Sequence, residues 1–177
     1  MILHSKDGTA YHFNIFLYIL PYSKYKFITL VFGRNQDTLF ECLDDAFENT
    51  GGVPQEIWFD NMKQVVDHSK SNFGQAVFNE RFKQFSQDAG YHPIACRPFR
   101  LQTKGAVEAL VRTMDRLRPF DFEFIDGAEL INLVDDLCYE LNHEVSQATE
   151  EIPFYKFECE EKEHLHPALK RPIESFF

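Results

Sequence analysis

The sequence is poor in glycine, with 8 in 177 residues, and it has no long apolar run. Its 177 residues include four cysteines, which are widely spaced and form no Cys-x-x-Cys pair. We interpret them as reduced thiols of a cytoplasmic protein, with a disulfide framework or a zinc site as the alternative. No apolar run approaches the ~20 residues that span a bilayer. Met1 is not followed by a basic and then an apolar segment, so neither a signal peptide nor a membrane partner is expected.

An excess of basic residues is also lacking, since the net charge is −10. This value argues against a simple DNA-binding protein. The charge is uneven, however: residues 97–118 contain six basic residues and two acidic ones, a local charge of +4. Such a basic strip on an acidic body can still follow a phosphate backbone. The alternative is an ordinary solvated helix face.

What is present is a globular composition, with 44% hydrophobic residues, 15% aromatic residues and 19 phenylalanines. The chain is long enough for one domain with a substantial core. Its opening predicts an antiparallel meander, because an Asp-Gly turn and a Pro-Tyr-Ser-Lys turn separate runs of strand-forming residues. The three predicted strands are Ile2–Ser5, Tyr11–Leu20 and Tyr25–Phe32.

Helices and strands then alternate, which predicts a mixed α/β sheet. Thr103 is expected to cap the third helix, and Asp126-x-x-Glu129 begins the last one. Apolar spacing predicts that the third helix buries Val107, Leu110, Val111, Met114 and Leu117, and Trp58 is assigned to the core by default. The predicted order is helix 37–49 stopped by Gly51-Gly52, strand 56–59, polar loop 61–74, helix 75–89, strand 91–96 and helix 103–117.

Two carboxylates stand out by position. Asp60 directly follows the apolar strand 56–59, and Glu108 lies early in a helix that follows a basic loop broken by Pro98. Carboxylates delivered by a strand end and a helix face suit hard divalent cations, which prefer oxygen ligands and leave positions for phosphate oxygens. The alternatives are a turn beginning at Asp60 and a surface charge ladder of Lys104, Glu108 and Arg112 at helical spacing.

Two longer segments carry a specific resemblance. They are GGVPQEIWFDNMK at 51–63 and CRPFRLQTKGAVE at 96–108. Together they resemble the catalytic core of IstA-type transposases, within the retroviral-integrase-like DDE group, and the resemblance runs from about Ser5 to at least Ala148. It implies a ribonuclease-H-like fold: a mixed sheet, with an antiparallel meander followed by parallel strands, flanked by helices.

The resemblance also implies chemistry. Asp60 and Glu108 would be catalytic metal ligands for two Mg²⁺ or Mn²⁺ ions, in DNA transposition and integration by two-metal phosphoryl transfer. The partners implied are DNA, as transposon ends and target, further transposase subunits, and an ATPase helper protein. The residues expected to bind DNA phosphates are Arg97, Arg100, Lys104 and Arg112.

The sequence departs from the family pattern at three places. Leu101 stands where a proline is expected and Ala106 where a lysine is expected. The family has a third carboxylate, an Asp on its first strand, and residues 1–5 match only the tail of that strand. Asp7 is a poor substitute, because a hairpin tip is the wrong end of the strand.

We therefore expect a core at 1–148 with a truncated first strand, and an acidic extension at 149–177 that begins a downstream domain. We expect the chain to be inactive alone. Two alternatives stay open. One is a catalytically dead module that binds DNA or transposase subunits, and the other is a ribonuclease-H-like nuclease.

Overall fold

The structure is a computed structural model that describes residues 1–60, 66–68, 77–96 and 101–167, with the backbone alone at 66–68, 77 and 101–104. Its contacts divide the chain into two compact units, and each is described by itself. The first unit comprises Met1–Arg34 and Lys104–Glu161, and the second comprises Asn35–Thr103 and Lys162–Phe177. In the described part of the chain, no helix is long and apolar enough to cross a membrane.

The predicted helices and strands occur in the predicted order, with additional short strands at 66–68 and 77–78. In chain order the described residues form β1 (Ile2–His4), β2 (Ala10–His12), β3 (Asn14–Ile19), β4 (Lys26–Val31), α1 (Gln36–Thr50), β5 (Glu56–Phe59), β6 (Val66–His68), β7 (Val77–Phe78), α2 (Glu80–Ala89), β8 (His92–Ala95), α3 (Leu101–Leu117), α4 (Gly127–His143) and α5 (Pro153–Lys156).

The first unit opens with two antiparallel strand pairs, β1 with β2 and β3 with β4. The turn between β1 and β2 contains Gly8 at a φ of 85°, a conformation that glycine adopts without strain. The predicted single strand 11–20 is interrupted at Phe13, which lies between β2 and β3. The Phe13 N–H still donates to the Met1 carbonyl at 3.0 Å, so the hydrogen bonding to the start of the chain includes this residue.

Helix α4 completes the core of the first unit by packing on β4. The predicted N-cap is present, because the Asp126 carboxylate accepts a hydrogen bond from the Glu129 N–H at 2.9 Å. The Glu129 carboxylate in turn accepts from the Ile125 N–H at 2.6 Å. The buried cluster consists of Leu3, Phe13, Ile28, Leu30, Leu117, Phe124, Leu130, Val134, Leu137 and Leu141.

The acidic segment near the end of the chain is folded, and residues up to Glu161 belong to the first unit. Phe157 is buried and stacks on Tyr25, with ring centroids 4.5 Å apart. The Ser23 N–H donates to the Glu161 carboxylate at 3.1 Å, and the Tyr22 hydroxyl donates to Glu160 at 2.8 Å. These contacts attach the segment to the turn before β4. The domain division at residue 148 stays a prediction.

The second unit is built on the parallel pair β5 and β8, with Phe59 opposite Ala95. Ile57 and Phe59 are buried, whereas Glu56 and Trp58 are exposed, so only one face of β5 is covered. The aromatic residues packed together in this unit's core are Phe40, Phe47, Phe59, Phe82, Phe85 and Tyr91.

The two predicted glycine stops after α1 have different causes. Gly51 caps the helix in the left-handed region at a φ of 77°. Gly52 lies against the segment at 165–166, where an added Cβ would come within 2.7 Å of the Leu165 Cβ and 2.8 Å of the His166 carbonyl oxygen. The Val53 N–H donates to that same carbonyl at 2.8 Å. A side chain at Gly52 would therefore separate these two backbones.

Several local predictions were wrong. The structure places β6 inside the predicted loop 61–74, and β7 where the helix 75–89 was expected to begin. Asn79 caps α2 instead, accepting from the Phe82 N–H at 3.3 Å. Helix α3 begins at Leu101, so Thr103 lies within it and does not precede it. The rest of the predicted loop lies outside the described residues.

Three predicted core residues are on the surface. Trp58 is 49% exposed, Val107 is 55% exposed and Val111 is 50% exposed. The predicted stripe on α3 was therefore only partly right: Leu117 is fully buried as predicted, but among the described side chains of this helix the other fully buried residue is Thr113. The Thr113 hydroxyl donates to the Ala109 carbonyl at 2.8 Å, which allows this polar side chain to be buried.

Candidate active site

Asp60 lies directly after β5, at the carboxyl end of the parallel strand pair. The Cys96 N–H donates to the Phe59 carbonyl at 2.8 Å, which extends the pairing by one residue beyond β8. With Phe59 opposite Ala95, this register sets Cys96 beside Asp60. Burial, and secondly the charge of Asp60, raises the pKa of the Cys96 thiol. Asp60 itself is exposed, as a ligand for a cation or a substrate must be.

Asp60 is exposed because side chains alternate between the two faces of a strand. Ile57 and Phe59 turn toward the aromatic core, so the residues between and after them face the other way. Ligands of α/β sheets bind at the carboxyl ends of parallel strands. Asp60 occupies such an end, as the sequence predicts.

Glu108 and Arg112 lie on the exposed side of α3, in the first unit. Both side chains line one shallow groove of about 460 Å³, together with Val107, Val111, Asp115 and Arg116. A carboxylate and a guanidinium one helical turn apart could hold a cation and an adjoining phosphate oxygen. The sequence predicted this shared face, but not the two exposed valines beside it.

An ion pair links the C-terminal half of α3 to α4. Arg116 Nη2 donates to both carboxylate oxygens of Glu144, at 2.8 and 2.9 Å, and joins the end of α3 to the end of α4. On β4, burial lowers the pKa of Lys26, and repulsion by the charge of Arg112 is the second cause.

The other predicted phosphate-binding residues are Arg97, Arg100 and Lys104. Arg97 and Arg100 lie outside the described residues, and Lys104 is described only as backbone within α3. Asp60 and Glu108 belong to different compact units. Among the side chains that the structure describes, no group of three or more His, Cys, Asp or Glu residues is placed to hold a metal ion.

Asp7 keeps the position that the sequence predicts, at the tip of the first hairpin. Its carboxylate accepts hydrogen bonds from the Ser5 hydroxyl and from the Thr9 N–H, the latter at 2.9 Å. These bonds lower the pKa of Asp7 to about 2. The carboxylate is therefore engaged by its own turn.

Sequence reasoning missed two contacts of these surfaces. The position of Cys96 beside Asp60 follows from the β5–β8 register, which is recognisable only once the two strands are known to be parallel neighbours. The Arg116–Glu144 pair joins residues that are far apart in the chain, and no local spacing signals it.

No family model matches the chain. It is 34% identical over 169 residues to the transposase for insertion sequence element IS232 of Bacillus thuringiensis subsp. berliner, an alignment that covers 96% of this chain and 39% of that protein. The chain belongs to the IstA-type family of insertion-sequence transposases. The predicted family is thereby confirmed.

Other members of this transposase family align over shorter stretches. The putative transposase for insertion sequence element IS5376 of Geobacillus stearothermophilus is 38% identical over 106 residues, covering 60% of this chain and 26% of that protein. The transposase for insertion sequence element IS21 of Pseudomonas aeruginosa is 32% identical over 139 residues, covering 76% and 34%. The chain thus spans about a quarter to two fifths of the length of these relatives.

Solved structures confirm the predicted ribonuclease-H-like fold of this transposase chain. It is similar to the catalytic core domain of BIV integrase, with a TM-score of 0.59 at 14% identity over 89% of this chain and 90% of that one. It is also similar to a chain of the simian T-cell lymphotropic virus intasome in complex with PP2A regulatory subunit B56 gamma. The TM-score there is 0.64 at 15% identity, over 98% of this chain and 56% of that one.

Proposed function

We propose that the chain forms part of a transposase catalytic core that cuts and joins DNA by metal-assisted phosphoryl transfer. The observation that carries this proposal is the position of Asp60. In a chain of this family, an exposed carboxylate directly follows a buried strand at the carboxyl end of a parallel pair. The exposed Glu108 and Arg112 on one face of α3 support it further.

The donor atoms at these positions fit a hard divalent cation. Asp60 and Glu108 are both exposed and offer carboxylate oxygens, the ligands that Mg²⁺ and Mn²⁺ prefer. Two such ions, when bound, would activate the attacking hydroxyl and stabilise the leaving oxygen. Within this proposal Asp60 and Glu108 hold the ions, and the residues that bind phosphate oxygens are Arg97, Arg100, Lys104 and Arg112.

These residues supply two of the three carboxylates that the family pattern calls for. We propose that the complete site needs a third carboxylate besides Asp60 and Glu108, and that these two carboxylates alone do not support the reaction. Losing one ligand from such a site removes charge that balances the developing phosphoryl transition state. The division into a core at 1–148 and an extension at 149–177, and a cytoplasmic location, are parts of the same proposal.

The partners proposed are transposon-end DNA, target DNA and other transposase subunits, with an ATPase helper protein as a fourth. The similarity to a chain of a viral intasome supports a multimeric complex on DNA. The local excess of basic residues at 97–118 supports contact with phosphates.

The decisive experiment measures Mn²⁺-dependent nicking and strand transfer on DNA that carries the insertion-sequence ends. It compares the unmodified chain, Asp60→Ala, Glu108→Ala and Asp136→Ala, the last removing an exposed carboxylate of α4 as a matched control. We expect activity in a form of the protein that also carries the third carboxylate. We expect each of the first two substitutions in that protein to reduce it by about 100-fold or more, and the control to leave it unchanged.

Two results would contradict the proposal. Activity that survives Asp60→Ala and Glu108→Ala would remove both residues from the site. DNA binding without chemistry, in the form with the third carboxylate as well as in this chain, would favour the binding module.

A further inference from the structure

The only tryptophan of the sequence lies on the surface, where a core position was predicted. Trp58 is 49% exposed on β5, two residues before Asp60. Its strand neighbours Ile57 and Phe59 are buried, so the indole lies on the opposite face of the strand, which is partly exposed at this point. Burying a tryptophan side chain is strongly favourable, so an indole left half exposed at the proposed site forgoes part of that stabilisation.

Alternation sets Trp58 and Asp60 on the same face of the strand. The Cys96–Phe59 hydrogen bond continues the ladder past Phe59, so this alternation extends to Asp60. Two residues along a strand span ~6.6 Å. This separation is close to the distance between neighbouring nucleotides of an extended strand. A phosphate held at Asp60 would thus bring an adjacent base to Trp58.

The surroundings of the indole favour a base over a phosphate. Ile94 lies directly opposite Trp58 in the β5–β8 register and is half-buried, which gives an apolar centre. Glu56 and His92, the preceding pair, are both exposed. With the carboxylates of Glu56 and Asp60 on either side, an unscreened phosphate at the indole would be repelled. An uncharged aromatic base would not be repelled by these carboxylates.

The size of the patch argues against a protein partner. One indole and one half-buried isoleucine provide far less than the ~800 Å² that each side of a stable protein interface buries. Aromatic stacking, in contrast, needs one ring and tolerates any base.

We propose that Trp58 stacks on a nucleobase next to the phosphodiester held at Asp60, and so positions the DNA strand for reaction. This inference rests on the proposed function. Trp58 is a binding residue in this scheme, because it contacts the substrate without taking part in bond making.

The test uses the single tryptophan as its own reporter. The full chain is titrated, in the presence of Mg²⁺, with a short fluorescein-labelled oligothymidine strand and with an abasic strand of the same length. Binding is followed by the anisotropy of the label, and stacking is followed by quenching of the tryptophan emission. We expect oligothymidine to quench the emission strongly, and the abasic strand to bind more weakly and to quench little.

Substitutions give a second readout. We expect Trp58→Ala to weaken oligothymidine binding by about 5- to 100-fold, and Trp58→Phe to restore part of that loss. Neither should alter binding of the abasic strand. Tyr155→Ala is the matched control, because Tyr155 is 58% exposed and lies in the acidic segment, where phosphates are repelled. Circular dichroism verifies the fold of each variant, and Trp58→Phe keeps the test valid if the alanine variant unfolds.

The outcomes separate this inference from the function on which it rests. Binding by anisotropy without quenching, and with an unchanged affinity for Trp58→Phe and Trp58→Ala, overturns the stacking assignment and leaves the proposed function standing. Absence of any DNA binding overturns both. A blue shift of the emission with rising protein concentration, without DNA, also overturns the assignment, because a second copy of the chain would then cover Trp58.

Discussion

Asn142 on α4 satisfies both backbone groups of Lys26, the first residue of β4. The Lys26 N–H donates to the Asn142 Oδ1 at 2.8 Å, and the Asn142 Nδ2 donates to the Lys26 carbonyl at 2.7 Å. Asn142 is 3% exposed, so neither backbone group could turn to water instead. One side-chain amide thus joins the helix that closes the first unit to the strand beneath it.

Removing this amide should be costly. We expect Asn142→Ala to lower the free energy of unfolding by about 1–3 kcal/mol, because it leaves the buried Lys26 N–H without this partner and leaves the Lys26 carbonyl with only the weak donor of the Cys138 thiol, at 3.4 Å. The measurement is urea unfolding followed by circular dichroism. Asn132→Ala, at an exposed position of the same helix, is the control and should change stability by less than about 0.5 kcal/mol. Equal losses for both variants would show that the amide contributes no more than helix propensity.

The ion pair between Arg116 and Glu144 should contribute less. Its side chains are 37% and 38% exposed, so solvent screens the charges even though Arg116 contacts both carboxylate oxygens. We expect a double-mutant cycle with alanine to give a coupling of about 0.5–1 kcal/mol, decreasing with added salt.

The matched control for that cycle is Arg118 and Asp115, whose side chains are 67% and 61% exposed. A coupling below about 0.3 kcal/mol is expected there. If the two cycles gave the same value, the contact of Arg116 Nη2 with both carboxylate oxygens would have no energetic consequence.

The elements that could be predicted from the sequence are those with strong local signals. Asp126 with Glu129 announced α4, and Gly51 ended α1, because caps use short-range hydrogen bonds and particular backbone angles. Asp60 was placed correctly after β5, since an apolar strand followed by an acidic residue is readable without tertiary information. The family resemblance supplied the fold, and similarity to solved integrase cores confirmed it.

The predictions that failed depend on tertiary structure. Val107 and Val111 fit the same apolar stripe as Leu117, yet only Leu117 of these three is buried and the polar Thr113 is buried as well, because the neighbouring layer decides which face is covered. Trp58 was assigned to the core on residue type alone. Nothing in the local pattern shows that β5 is covered on one face only. The short strands β6 and β7 escaped detection because two or three residues carry too little periodicity.

The four cysteines should differ strongly in reactivity. Cys159 is exposed, whereas Cys42 and Cys96 are buried and Cys138 is half-buried. Burial raises the pKa of Cys42 to about 11 and also raises the pKa values of Cys96 and Cys138, which reduces the fraction of reactive thiolate at each. We expect iodoacetamide at pH 8 to label Cys159 first, as measured by peptide mass spectrometry over time.

Labelling in urea is the control for that experiment, and all four thiols should then react at similar rates. Rapid labelling of Cys42 in the native chain would contradict the burial seen on α1.

The first hairpin should carry a pH dependence of its own. The Ser5 hydroxyl, and after it the Thr9 side chain and N–H, lower the pKa of Asp7 from 3.8 to about 2. Since the folded state binds this proton less readily than the unfolded chain, the ionised carboxylate stabilises the fold above about pH 4, and that contribution is lost as the pH falls through about 2.

We expect carboxyl-carbon NMR to show the Asp7 midpoint near pH 2. Asp7→Asn should make the urea midpoint less dependent on pH between about 4 and 2, because asparagine cannot ionise. Asp88→Asn, at an exposed position of α2, should leave that dependence unchanged, and an Asp7 midpoint near 4 would mean that the turn does not engage the carboxylate in solution.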